Sequence, residues 1–501
     1  MPRRLTPFLA AFATLSALSA TPGLADVTAD EVWQEWQEIY GGNGISLKAA
    51  QKTRAANILT LGEVEAVVTF PEGTMRARAG EIRMEERGDG SVLVTFTPTS
   101  QLEIRANPKD AEPVEMDLQM TQKGNVMVVT DAGDGHDYSY TVPQATLALD
   151  AFIVDGVKLP VTLAAEFRDF AETAHVGART GGLRDIEVNE TIARTSFRFT
   201  AEDPEDKAAH VEAEGVVTGL RAATRGRFPA VVGKTFSEMQ ESGLEMALEL
   251  EHDGAEYNVT GDGPEGAFAI SSASAGGAFR YALDSERVTA HGESRGLRLE
   301  LSGADIPFPT VAIGAEEISA ELSFPAAPTP EPSAFSMALG LRGITVDDVL
   351  WSVFDPSGQL PRDPANLVID LAGKARLLAD VMNDPAALEG GQSPIEVDAV
   401  EIRQMELSAA GARLSGSGAF SFRYDSPDQP VPVGHVDLNL EGGNGLLDTL
   451  VSIGLLPEDQ AMGMRMMLGA FARPGGGEDT LTSRIEMTED GGIVANGMRM
   501  R

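Results

Sequence analysis

"LEMALELEHDG", residues Leu244 to Gly254, decides the fold class. Leu244, Met246, Leu248 and Leu250 occupy alternate positions, with Glu245, Glu249 and Glu251 between them, and Asp253-Gly254 closes the run. Side chains on a strand point to opposite faces in turn, so this pattern predicts a half-buried strand that ends in a turn. A helix would place its apolar residues three and four apart.

The same period extends in both directions. It runs through "VEAVVTF" (64–70), "SVLVTFT" (91–97), "NVMVVT" (125–130), "ATLALDAFIV" (145–154) and "SFRFTAE" (196–202), and on to "LRLELSG" (297–303). Turn-forming "KGN", "DAGDGHD" and "GDGPEG" separate these runs. Parallel pairs need crossovers of a dozen or more residues, so the short separations predict antiparallel hairpins. A short helix is expected at "KTFSEMQES" (234–242).

Pro325, Pro328, Pro330 and Pro332 cannot serve a central strand, because proline lacks the ladder donor. Residues 325–333 are therefore expected to be a linker or crossing between β-rich regions at 26–324 and 334–501. Past it, "NLVIDLAGKARL" (366–377) and "GHVDLNLEG" (434–442) resume the alternation. "TVDDVLWSVFD" (345–355) and "GLLDTLVSIGLL" (445–456) read as helices, and Asp490-Gly491 marks a closing hairpin. The fold class is thus mainly β (β-rich α+β): a long antiparallel curved sheet, β-groove or split barrel. A few short helices pack against it, including a helical hairpin at 446–472.

The amino terminus carries Arg3 and Arg4, an apolar run from Phe8 to Ala20 and small Gly23 and Ala25. This is the pattern of a secretory signal peptide cut after Ala25. The run is too short to span a bilayer, and the chain has no cysteine to take a lipid, so the mature chain is expected to be a soluble periplasmic protein with no transmembrane segment. "TADEVWQEWQEIYGG" (28–42) then offers a capping box from Thr28 to Glu31 and apolar Val32, Trp33, Trp36, Ile39 and Tyr40 at helical spacing, with a stop at Gly41. Its polar face is acidic where a membrane-surface helix would be basic, which predicts docking on the protein's own sheet.

A formal net charge of -37 excludes nucleic acid and anionic lipid headgroups as partners. Several motifs invite chemistry. "GESRG" puts Ser294 in a nucleophile-elbow pattern, but strand alternation follows where a helix is required. Gly261, Gly263 and Gly266 spell a dinucleotide loop without the following helix. Asp131, Asp134 and Asp137 share a loop that lacks the calcium-site spacing. The histidines His136, His175, His210, His252, His291 and His435 never fall at metal-ligand spacing. No catalytic residue, metal site or cofactor is therefore assigned, and the ligand-binding residues are left open.

Met462, Met464, Met466 and Met467 crowd "GLLPEDQAMGMRMMLGAFARPG" (454–475). Pro457, Glu458 and Asp459 suit a helix start. On a helix these sulfurs diverge, so a copper(I) site is disfavoured, and the nearly all-apolar circumference predicts a buried helix that packs on the sheet, with membrane or exposed-groove contact as the alternative.

The segments "LPRDPANLVIDLAG" (360–373) and Gly445 to Arg501 resemble the carboxyl-terminal part of an uncharacterised family, domain of unknown function 2125, found in secreted proteins of alphaproteobacteria. "ADEVWQEWQEIY" is also similar. The resemblance implies a Gram-negative cell-envelope protein without an established activity. A more distant likeness, on strand style and "GLRGITVDDVLWSVF" (340–354), is to large periplasmic β-groove proteins that handle lipids. The expected function is a non-enzymatic binding or scaffold protein whose sheet holds a hydrophobic ligand or an envelope protein. The alternative is a periplasmic hydrolase using paired carboxylates.

Overall fold

The computed structural model describes residues 26–206, 209–230, 238, 241–328, 331–379, 395–426 and 429–500. The expected signal peptide and its cleavage point, and most of the helix expected at 234–242, lie outside the described residues. Strands hold 66% of the chain, far above the roughly 20–25% of an ordinary globular protein. Every strand pairing is antiparallel among the described residues, so the mainly β expectation holds. The chain divides into two compact units, Met1–Ser271 and Ser272–Arg501.

The first unit opens with helix α1 (Ala29–Gly42) and strands β1 (Ile45–Ala55), β2 (Ile58–Phe70), β3 (Gly73–Glu86) and β4 (Val92–Phe96). It continues with β5 (Thr99–Ala106), β6 (Val114–Lys123), β7 (Val126–Asp131), β8 (Gly135–Val154) and the short β9 (Val157–Lys158). Then come β10 (Val161–Gly177), β11 (Leu183–Glu202), β12 (His210–Pro229), β13 (Glu245–His252) and β14 (Gly254–Asp262). Strand β3 pairs with β4 near one end and β5 near the other. The long β8 likewise pairs with β7 over its first part and β6 over its second. The β4–β7 and β5–β6 pairs therefore lie side by side between β3 and β8.

In register, Asp169 of β10 lies between the pairs Arg168–Arg194 and Phe170–Ile192, and Gly219 of β12 between Thr218–Arg194 and Leu220–Ile192. Both residues adopt left-handed backbone, φ 52° and 60°. The ladder is interrupted along one line across neighbouring strands, the device by which long sheets are bent.

One face of this sheet carries the core. Leu59, Leu61, Val64, Ile82, Met84, Val92, Val94, Val129 and Tyr138 pack with Val32, Trp33 and Trp36 of α1. The helix forms as its residues require. Thr28 Oγ1 accepts from the Glu31 N–H and Glu31 returns a bond to the Thr28 N–H, completing the capping box. It runs one residue past the expected stop, through Gly42 to an Asn43 cap.

In the second unit β15 (Phe268–Ser274) crosses the division, and β16 (Gly276–Leu283), β17 (Arg287–Gly303), β18 (Val311–Pro325) and β19 (Ser333–Val346) follow as a meander. The proline-rich segment joins β18 to β19, which pair with each other from Ile313–Val346 to Ser323–Ser336. Helix α2 (Asp348–Phe354) is capped by Asp347, whose side chain accepts from the Leu350 N–H. The meander resumes as β20 (Ala365–Leu377), β21 (Ile395–Ala409), β22 (Ala412–Ser426) and β23 (Gln429–Glu441). Helices α3 (Gly443–Ser452) and α4 (Glu458–Phe471) form the expected hairpin. Short β24 (Arg473–Pro474), then β25 (Thr480–Met487), β26 (Ile493–Ala495) and β27 (Met498–Arg499) close the chain, with Gly491 in the turn at φ 77°.

Burial of the methionine helix is corrected. Met462, Met464, Met466 and Met467 are 58, 42, 69 and 62% exposed, and Ala461 is the one buried residue of α4. An apolar circumference implies burial only when neighbours surround it. Here α3 meets one side through the Asp448–Arg465 ion pair at 2.5 Å, and the end is held by Ser483 and Asn496, which donate to the Phe471 carbonyl.

Candidate functional site: an apolar cavity beneath helix α1

Helix α1 is fastened over the sheet at its start and in its middle. At its start, Asp30 pairs with Lys52 at 2.7 Å and with Arg54 at 2.5 Å, and Glu86 accepts from the Ala29 N–H at 2.9 Å. In the middle, Glu35 turns toward the sheet. Its carboxylate accepts from Arg184 of β11 at 3.0 Å and from the Tyr138 hydroxyl of β8, and lies 3.0 Å from His136 Nδ1. Glu35 and Arg184 are 9% and 8% exposed, so this is a buried, hydrogen-bonded ion pair. Burial, then the Glu35 charge, pushes the Tyr138 hydroxyl well above its ordinary value. The hydrogen bond to Glu35 raises His136.

Between the helix and the sheet the packing leaves a cavity of about 200 Å³. Trp33, Trp36 and Tyr40 of α1 form one wall; Leu47, Val64, Ile82, Phe96, Met120, Met127 and Tyr140 from the strands form most of the rest. Aromatic rings run through it. Trp36 stacks on Phe96 with centroids 6.3 Å apart, Phe96 meets Tyr140 edge-on at 5.7 Å, and Trp33 meets Trp36 edge-on at 6.4 Å.

Few polar groups face this space. Tyr140 donates to Gln122 Oε1 at 2.9 Å. Burial pushes the hydroxyls of Tyr40 and Tyr140 up to about 12, and the Glu172 charge adds to the effect in both. Glu172, on β10, lines the cavity and is 2% exposed. It is the register partner of Tyr140 on β8 and of Glu190 on β11, so the three side chains share a face. Burial also pushes the Glu190 carboxyl up to about 7. A more open groove of about 690 Å³ shares Val64, Arg78, Ala79 and Ser100 with the cavity and adds Lys48, Glu63 and Glu65. There Arg78 pairs with Glu65 at 3.2 Å and with Glu103.

The motifs singled out by sequence lie elsewhere. Ser294 sits in mid-strand on β17, paired with Gly277 and Ile318. Gly261, Gly263 and Gly266 belong to the end of β14 and the turn after it. Asp131, Asp134 and Asp137 lie in or beside the β7–β8 turn, where Asp131 accepts from the Gly133 N–H and Asp137 pairs with His175 at 2.8 Å. Among the described residues no group of three or more His, Asp or Glu could hold a metal ion. Sequence reading put Glu35 on the polar face of α1, where the structure buries it, and passed over Glu172 and Glu190. Their signal was present: each is a carboxylate where the period of its own element demands an apolar side chain.

No helix among the described residues is long and apolar enough to cross a membrane. No curated protein matches the chain. Residues 244–499 match a family described as uncharacterised protein conserved in bacteria, domain of unknown function 2125; the cavity lies outside the matched segment. The match covers just over half of the sequence, and the chain belongs to that family of bacterial proteins.

Proposed function

We propose that this chain is a non-enzymatic binding protein of the bacterial cell envelope, exported to the periplasm, whose first unit holds a small apolar ligand beneath α1. The observation that carries the reading is the ring-lined cavity. An engineered cavity of about 150 Å³ with apolar walls stays dry and takes up benzene or xenon. A space of about 200 Å³ suits a guest of one ring or a short acyl segment. The signal-like amino terminus supports the periplasmic address.

Native mass spectrometry of the protein purified from the periplasm of its own host tests both parts. A bound small molecule released by organic solvent supports the reading. Repeated recovery of ligand-free protein that takes up no apolar probe overturns it, and recovery in the cytoplasmic fraction overturns the address. The second reading, a hydrolase using paired carboxylates, is favoured by the Glu172–Glu190 register pair. Only Glu172 lines the cavity, so binding is preferred. Ester or glycoside hydrolysis abolished by both Glu172→Gln and Glu190→Gln would reverse that preference.

A further inference from the structure

We infer that the second unit carries a binding site of its own, for a neutral saccharide, on the polar face of β21, β22, β23 and β25. The site is separate from the apolar cavity and does not depend on it.

Register builds this face. Ser417 pairs with Asp437, and Asp437 with Arg484; one step along, Glu406 pairs with Ser415, Ser415 with Asn439, and Asn439 with Thr482. Residues two apart on a strand share a face, so the two rows lie side by side. Arg403 joins them through a bulge. Strand β20 pairs Asp370 with Gln404 and Leu371 with Ile402, while β22 pairs Gly418 with Ile402 and Gly416 with Met405. Arg403 is thus in register with no residue of either neighbour, and a bulge of this kind re-aims a side chain. Arg403 and both rows line a groove of about 640 Å³, within the roughly 300–1,000 Å³ of small-molecule sites.

Three observations name the ligand class. First, the groove keeps hydrogen-bonding capacity that the protein does not use. Among the described residues, the Arg403 guanidinium and the hydroxyls of Ser415, Ser417 and Thr482 have no hydrogen-bond partner in the chain. The carboxylates nearest Arg403, those of Asp370 and Glu401, stand at 3.8 and 4.0 Å. Second, the other charges are closed pairs, Arg413 with Glu406 at 2.9 Å and Arg484 with Asp437 at 2.8 Å. Each pair presents donors beside acceptors. A hydroxyl both donates and accepts, so a molecule rich in hydroxyls can use both halves of each pair. An anion would meet Glu406 and Asp437, and a cation would meet three guanidiniums. Third, the apolar residues on the lining are Met405 and Leu438, with no aromatic ring, so a ligand held by apolar burial gains little here. An uncharged saccharide fits all three.

The test uses the full chain and five probes: neutral glucose, maltose and cellobiose, anionic glucuronate and cationic glucosamine. Binding is followed by saturation-transfer NMR. At least one neutral sugar is expected to bind, and to bind tighter than either charged one. Arg403→Gln is expected to weaken it about tenfold or more, the loss of hydrogen bonds from a charged donor, and Met466→Gln on α4 to leave it unchanged. Arg403 is 51% exposed at its side chain, so its replacement spares the core. Hydrogen exchange on the native chain locates the sugar without any variant: exchange should slow in peptides spanning Ile402 to Ser417 and Thr482 to Arg484. Tighter binding of glucuronate or glucosamine overturns the neutral assignment. Binding that Arg403→Gln leaves intact, protection confined to the first unit, or no binding by any of the five sugars overturns the site, and each of these leaves the cavity beneath α1 untouched.

Discussion

Glu35 and Arg184 stand 149 positions apart in the chain and meet at 3.0 Å between α1 and β11, each side chain 10% exposed. Their contact sets the helix over the cavity. A buried pair is costly to break singly, because the remaining charge has no water to return to. Arg184→Met should therefore destabilise the first unit by about 3–5 kcal/mol. The double variant Glu35→Leu with Arg184→Met should cost less than Arg184→Met alone. Denaturant titration read by Trp33 and Trp36 in a Trp351→Phe background measures both.

Two groups make the first unit weaker at high pH. His136 is held above its ordinary value, chiefly by its hydrogen bond to Glu35. Its contribution is complete below about pH 6.5, the ordinary histidine value, and is lost as pH rises through the folded value. Glu190 acts in the same direction. Burial keeps its carboxyl protonated up to about pH 7, so between the ordinary carboxyl value and there the unfolded chain has released a proton that the folded chain retains. Stability should fall from pH 5 to 8. Glu190→Gln should gain about 3 kcal/mol over the native chain at pH 8 and nothing at pH 4.

The interrupted ladder has its own test at Gly219. Its φ is 60°, and a Cβ there would fall 1.9 Å from Asp253 Oδ2. Asp253 is bound to Arg221 at 2.7 Å. Gly219→Ala must carry a left-handed alanine, at about 1–2 kcal/mol, and must also push Asp253 from its partner. Thermal melting should show this loss, and Asp169→Gly on β10, the other side of β11, should be neutral or slightly stabilising.

Replacing Met462, Met466 and Met467 by Gln should change stability by no more than about 0.5 kcal/mol each, as at other exposed positions. A buried methionine helix would lose about 2–5 kcal/mol for a comparable truncation of each core residue. Chemical denaturation of the single variants separates the two cases.

The strands and helix ends were legible because they are local. Alternation in Leu244 to Leu250 and the Thr28–Glu31 capping box need no distant partner to be read. The cavity was not legible, because α1, β1 to β8 and β10 all contribute to its walls. Glu172 on its wall and Glu190 beside it in register both stand out of place in their local patterns. Glu172 interrupts the apolar series Phe170, Ala174 and Val176, and Glu190 interrupts Ile186, Val188 and Ile192. Each looks like an exposed charge until register pairs them. The methionine helix misled for the converse reason: its composition describes the helix, but exposure depends on how much of the chain surrounds it.

Diffraction from xenon-pressurised crystals tests the cavity most directly. Xenon density bounded by Trp36, Phe96 and Tyr140 is the predicted result. A site empty of xenon, with those three rings closed against Glu172 and Leu47, would contradict it.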